Sequence, residues 1–202
     1  MKSLFILFFI MSVALFSEEK VIIDSDLTLE EAIKGTTATI DVVQSLILMN
    51  VEYYSIDNKI HRGQIVVNKI AESDLKIVFA KMRDLKFPIN KMIPIVKYNW
   101  NDSSSMEDNN TSAFCYRNIA GTNRLSNHSF GLAVDINPFF NPVVFKSGSH
   151  DPKNAKYDTK RPGTFNANHE LVKLFKELGW RWGGEFSKYA DNHHFDLIVK
   201  DK

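Results

Sequence analysis

Two segments far apart in the chain constrain it most: Ser126-Asn127-His128-Ser129-Phe130-Gly131-Leu132-Ala133-Val134-Asp135 and Asp191-Asn192-His193-His194-Phe195-Asp196. Two imidazoles and a carboxylate can hold a catalytic zinc and leave one coordination position open for water. A further acid three residues before His194 is placed to act as a base. Together the segments read as a split metal site, and a fold that uses it must bring them side by side. The leading expectation is a zinc hydrolase.

Residues 132–136 read as a strand on which Ala133, Asp135 and Asn137 alternate with Leu132, Val134 and Ile136. Asp135 is therefore expected to face away from the core, with Gly131 and Ala133 leaving space beside it. On a closing strand from His194 to Val199, Phe195, Leu197 and Val199 share the apolar face, and His194 and Asp196 the other. The plainer alternative is a surface His–Asp pair and a solvated His doublet, and ligand types alone do not decide between the two. His169-Glu170-Leu171-Val172-Lys173 begins like a zinc helix, but Lys173 stands where the second His is required, so it reads as the exposed start of a helix. His61 and His150 have no acidic or His neighbour at a useful spacing and read as structural or exposed. Trp180, Trp182 and Gly183-Gly184 fit a substrate cleft or a packed turn equally well. Arg117, expected on a strand ahead of the metal motif, is a cation that could bind a carboxylate or an oxyanion, or be salt-bridged at the surface.

The chain opens with Met1-Lys2-Ser3 and a nearly unbroken apolar run from Leu4 to Phe16, the layout of a secretory signal peptide, expected over residues 1–17. The run is shorter than the about 20 residues a bilayer requires, so export without a stable membrane anchor is expected. No cysteine follows it to carry a lipid. What remains suits one domain rather than two. We expect an N-terminal helical extension over 18–50 and a catalytic domain over 51–202, in a monomer. Lys and Arg number 25 against 24 Asp and Glu, which leaves no electrostatic footprint for nucleic acid or an anionic membrane. The single cysteine, Cys115, cannot form an internal disulfide and is expected to be a small buried hydrophobe.

Thr28 and Glu31 have capping-box spacing ahead of a short helix that ends at Gly35. Residues 51–56 and 60–67 suggest a hairpin around Asp57-Asn58-Lys59. Leu75, Val78, Phe79, Met82 and Leu85 recur at helical spacing after Ser73, the expected cap. Residues 92–98, 113–119 and 132–136 read as strands. Residues 99–111 and 139–163 read as long irregular stretches, the first a surface loop. Leu171, Leu174, Phe175 and Leu178 share one helix face, closed by Gly179. The expected class is α+β, with a central antiparallel sheet flanked by helices.

The motifs resemble the zinc peptidases of bacterial cell walls, which include D-alanyl-D-alanine carboxypeptidases and L-alanoyl-D-glutamate endopeptidases and share the Hedgehog/DD-peptidase fold. The family pattern S-x-H-x-x-G-x-A-x-D is met by Ser126, His128, Gly131, Ala133 and Asp135. Its closing pattern, a Trp and Gly turn followed by D-x-x-H-F-[DE], is met by residues 179–184 and by Asp191, His194, Phe195 and Asp196. The resemblance implies that His128, Asp135 and His194 bind Zn2+, that Asp191 is the general base, that Arg117 stabilises the oxyanion, and that Ser126 touches substrate. It also implies a peptidoglycan peptide as substrate and a place in the periplasm or at the cell wall. One departure stands out: relatives often have proline or another non-histidine residue where this chain has His193, so a register in which His193 binds zinc stays open. Alternation along the strand favours His194. Other readings are a binding module that holds zinc and wall peptide without cutting it, and a structural exported protein without metal. Metal analysis separates the last from the others.

Overall fold

The hairpin expected around Asp57-Asn58-Lys59 is the longest regular unit in the computed structural model, which describes residues 20–199; the expected signal segment lies outside them. The elements in chain order are β1 (Ile22–Ile23), α1 (Leu29–Ala32), α2 (Ile40–Ser45), β2 (Leu46–Tyr54), β3 (Ile60–Asn68), α3 (Glu72–Asp84), β4 (Lys91–Met92), α4 (Asp102–Glu107), β5 (Asn110–Thr111), β6 (Ala133–Asp135), β7 (Val143–Phe145), β8 (His150–Asp151), α5 (Glu170–Glu177), β9 (Trp180–Trp182), β10 (Tyr189–Asp191) and β11 (His194–Leu197). The class is α+β. The strands form four small sheets, ordered β1-β3-β2, β10-β7-β8, β6-β11-β9 and β4-β5, rather than the one central antiparallel sheet expected. Most strands are two to four residues long, and Asn-, Pro- and Gly-rich connections cut the ladders between them.

The hairpin carries the core because β2 alternates from Met49 to Tyr53 and β3 is buried throughout from Gly63 to Asn68. Met49, Val51, Tyr53, Ile65 and Val67 are buried in one apolar cluster with Leu75, Val78, Phe79 and Met82 of α3, with Leu171 and Phe175 of α5, and with Val134 and Phe195. α3 presents the face its spacing predicts, but it starts at Glu72 rather than being capped by Ser73. The Asn68 side chain caps a 3-10 turn at Lys69–Ala71, which runs straight into the helix. The capping box at Thr28 and Glu31 is formed. β2 starts at Leu46 and so runs through the division expected between residues 50 and 51. Residues of the N-terminal extension, Leu27, Leu29, Ala32 and Ile33, pack with Leu46, Val66, Phe114 and Tyr116 in a second apolar cluster.

Residues 91–119 depart most from expectation. The strand expected over 92–98 is two residues of β4 followed by a 3-10 turn at Ile95–Tyr98. The expected surface loop holds α4, capped by Asn101 accepting from Ser104 N at 2.9 Å. It then turns inward, with Asn109 and Asn110 buried. Asn110 pins β4 by accepting from Ile93 N and donating to Ile93 O, both at 2.9 Å. No named strand forms over 113–119; Phe114 N donates to Val66 O and Cys115 N to His128 O, so the chain is extended between two different partners.

His61, which the sequence left without acidic neighbours, has Asp24 Oδ1 2.9 Å from Nδ1 and Asp57 Oδ1 3.2 Å from Nε2. Tyr53 donates its hydroxyl to the other oxygen of Asp24. Burial disfavours the charged imidazole, but these two carboxylates outweigh it and raise the pKa of His61. A raised folded-state pKa means that the stabilisation is complete below the ordinary value of about 6.5 and is lost as pH rises through the folded value. We expect the melting temperature of His61→Gln to fall below that of the parent at pH 6 and to approach it at higher pH. An equal deficit at pH 6 and pH 9 would remove this ion pair from the stability of the fold.

Candidate metal centre

His128 is positioned by the local chemistry of its motif. Ser126 caps the 3-10 turn Asn127–Phe130, its hydroxyl accepting from His128 N, and Gly131 closes the turn at φ 64°. A Cβ on Gly131 would stand 2.6 Å from Asn68 N and 2.9 Å from Val67 C, so this spot must be glycine both for its left-handed backbone and for its approach to β3. Asp135 and His194 come from neighbouring strands. β6 and β11 are antiparallel, and their register sets His194 directly opposite Asp135.

His128 Nε2 lies 3.1 Å from His194 Nδ1, His194 Nδ1 lies 2.9 Å from Asp135 Oδ1, and Asp135 Oδ2 lies 3.2 Å from His128 Nε2. Donors about 2.0–2.2 Å from a tetrahedral zinc stand roughly 3.3 Å apart, so this triangle fits one face of such a site. The three residues form a group able to hold a metal ion. His128 Nδ1 is 2.6 Å from the carbonyl of Ala113, which leaves Nε2 as the free nitrogen. His194 Nε2 is 3.7 Å from Asp196 Oδ2. Asp196 is itself fixed by Arg181, whose Nε and Nη2 donate at 2.9 and 2.5 Å, and by Asn127 at 2.7 Å.

Asp135 is buried, where the sequence expected it to face away from the core. The reason is that both faces of the small β6-β11-β9 sheet are covered: Val134 meets the main apolar cluster, and Asp135 meets the turn that carries His128. Burial alone would raise the Asp135 carboxyl, but His128, His193 and His194 hold it well below the usual range. Burial likewise opposes charge on His194, yet Asp135 and Asp196 push its pKa up to about 10. A metal binding here meets a carboxylate already in its ligating, charged form at Asp135 but must compete with the proton that Asp135 and Asp196 favour on His194.

The structure brings every expected site residue to one cleft of about 930 Å³, lined by Arg117, Ser126, His128, Asp135, Asp191 and His194 among others. Arg117 is not on a strand. Its Nη2 pairs with Asp102 Oδ2 at 2.7 Å, and its buried Nε has no hydrogen-bond partner. Asp191 ends β10, and its Oδ1 lies 2.9 Å from His193 Nε2. That contact lacks hydrogen-bond geometry, so the buried oxygen is otherwise unpartnered. His193 is outside the metal triangle: its Nε2 is 3.9 Å from Asp135 and its Nδ1 is 2.8 Å from the carbonyl of Asn141. Sequence reasoning missed the partners Asp102, Asn127 and Arg181; nothing in their spacing announces them. His169 caps α5, its Nδ1 accepting from Leu171 N at 3.2 Å, and is not among the residues lining the cleft. Cys115 is buried, which pushes its thiol up to about 11 and away from nucleophilic use.

Trp180 and Trp182 are buried, so the two indoles pack rather than line the cleft, while Arg181 between them does line it. Trp182 Nε1 donates to the carbonyl of Asn192 at 3.0 Å and holds the turn between β10 and β11. A Cβ on Gly183 would meet the Asp191 carbonyl oxygen at 2.5 Å, its Cβ at 2.8 Å and the His194 Cβ at 3.1 Å. Gly183→Ala should therefore push Asp191 and His194 apart, destabilising the fold by about 1–3 kcal/mol and weakening metal retention. Chelator competition and thermal melting check this, and parental values for both would disprove the close-packing argument.

Residues 120–197 match the family described as D-alanyl-D-alanine carboxypeptidase. The match covers the metal triangle and Asp191, and it supports the family that the motifs resemble. No curated protein and no solved structure matches this chain. Among the described residues no helix is long and apolar enough to cross a membrane.

Proposed function

We propose that the protein is an exported zinc peptidase that hydrolyses peptidoglycan stem peptides, as a D-alanyl-D-alanine carboxypeptidase or an L-alanoyl-D-glutamate endopeptidase. The observation that carries this reading is the presence of an acid, Asp191, and an arginine, Arg117, in the same cleft as the His128–Asp135–His194 triangle. Zinc bound by that triangle supplies a Lewis acid that polarises a peptide carbonyl and lets water lose its proton near neutral pH. Asp191 accepts the proton from the attacking water and hands it to the leaving amine. Arg117, held by Asp102, donates to the carbonyl oxygen as negative charge develops there.

The test is mass spectrometry of a defined stem pentapeptide incubated with the zinc-loaded mature protein beside a chelator-treated control. Loss of one alanine identifies the carboxypeptidase, and a cut after the first L-Ala identifies the endopeptidase. Intact peptide despite bound zinc would point instead to a module that binds wall peptide without cutting it.

A further inference from the structure

His193 is an unusual side chain for its place in the fold. It lies in the two-residue turn between β10 and β11, and turns normally face water. Here both turn residues, Asn192 and His193, are buried. Burying an imidazole is costly unless its nitrogens find partners. One does: Nδ1 faces the carbonyl of Asn141 at 2.8 Å. Asn141 is itself immobilised, its side chain donating to the carbonyls of Ile136, Asn137 and Gly163 and accepting from Phe165 N. The backbone of His193 is tied as well, its carbonyl accepting from Ile136 N at 3.0 Å. The ring is therefore anchored from the side away from Asp191. Its remaining nitrogen, Nε2, is 2.9 Å from Asp191 Oδ1 but 3.9 Å from Asp135 Oδ2. The first contact is the close one, and no other partner is available to that buried Asp191 oxygen.

We propose that His193 is a positioning residue for Asp191, an anchored ring that engages one carboxylate oxygen and so fixes the other toward the substrate cleft. This rests on the reading of Asp191 as the base. An aspartate has a short side chain with a free χ1 and a broad χ2, and a base out of line by about an ångström loses much of its effect. Asn141, His193 and Asp191 form a chain of contacts, the last a close approach of 2.9 Å that is not aligned as a hydrogen bond, and this chain restricts that freedom. His193 is by the same geometry no metal ligand.

The experiment compares zinc-loaded wild type, His193→Ala, Asp191→Asn and the double variant, with His193→Gln as the milder change if alanine does not fold. The expected result for the His193 variants is zinc content and chelator resistance as in wild type, KM within about twofold, and kcat lowered roughly 10- to 100-fold. Adding the His193 change to Asp191→Asn should cost nothing further, because the positioned group is already gone. Crystal structures of zinc-loaded wild type and His193→Ala supply a readout independent of turnover: one ordered Asp191 rotamer in the first, several in the second. The inference is overturned by wild-type kcat in a folded His193 variant, by losses that add in the double variant, by an unchanged Asp191 rotamer, or by loss of zinc. An active Asp191→Asn would sink the assignment of the base instead, and leaves the crystallographic comparison to judge His193 on its own.

Discussion

Replacing His128 with alanine should abolish metal retention, with zinc falling from about one ion per chain to near zero and the melting temperature no longer responding to added zinc. The change acts twice. It removes one corner of a donor triangle whose edges are 2.9 to 3.2 Å, leaving two ligands, fewer than a catalytic zinc site uses. It also strands the Ala113 carbonyl, which faces His128 Nδ1 at 2.6 Å in a buried setting, and an unpaired buried acceptor costs about 1–3 kcal/mol. Whatever stabilisation the metal confers by binding the folded chain alone is lost with it. Elemental analysis of the purified variant and melts with and without zinc measure both parts. Zinc content equal to that of the parent would overturn the ligand set.

Asp191→Asn should give the opposite pattern: full metal content, a fold close to that of the parent, and turnover lowered by about 10²- to 10⁴-fold. The amide keeps the shape of the side chain but cannot take a proton from water. Asp191 is outside the donor triangle, so the metal should not depend on it. Stem-peptide hydrolysis at saturating zinc, with metal content measured on the same sample, separates the two functions. A variant that turns over at nearly the parental rate would exclude Asp191 from proton transfer.

Periodicity was a good guide where apolar side chains decide the structure. The hairpin β2–β3, the buried face of α3 and the face of α5 all follow spacings visible in the chain, because burial of an apolar stripe dominates those elements. Alternation along β11 likewise favoured His194 over His193, and His194 is the one that completes the triangle. Where polar side chains replace ladder bonds, pattern reading failed. Asn109, Asn110, Asn137 and Asn141 look like loop residues, yet all four are buried. Asn137 donates to the carbonyls of Pro88 and Gly163, and Asn109 accepts from Phe139 N. Side chains that bond to distant backbone leave no period in the sequence. The same limit hid the support of the site: Asp102 beneath Arg117, Arg181 and Asn127 around Asp196, and Asp24 beside His61 are pairings across long stretches of chain.

The three candidate ligands come from a 3-10 turn, a three-residue strand and the last strand described, and His194 joins the others only through the register of β6 with β11. An unfolded chain holds His194 59 residues from Asp135, and because closure entropy grows only with the logarithm of loop length, joining them costs little more than closing a short loop. Zinc held by all three would therefore tie the last strand to the turn that carries His128 and stabilise the pairing of β6 with β11 over the open chain.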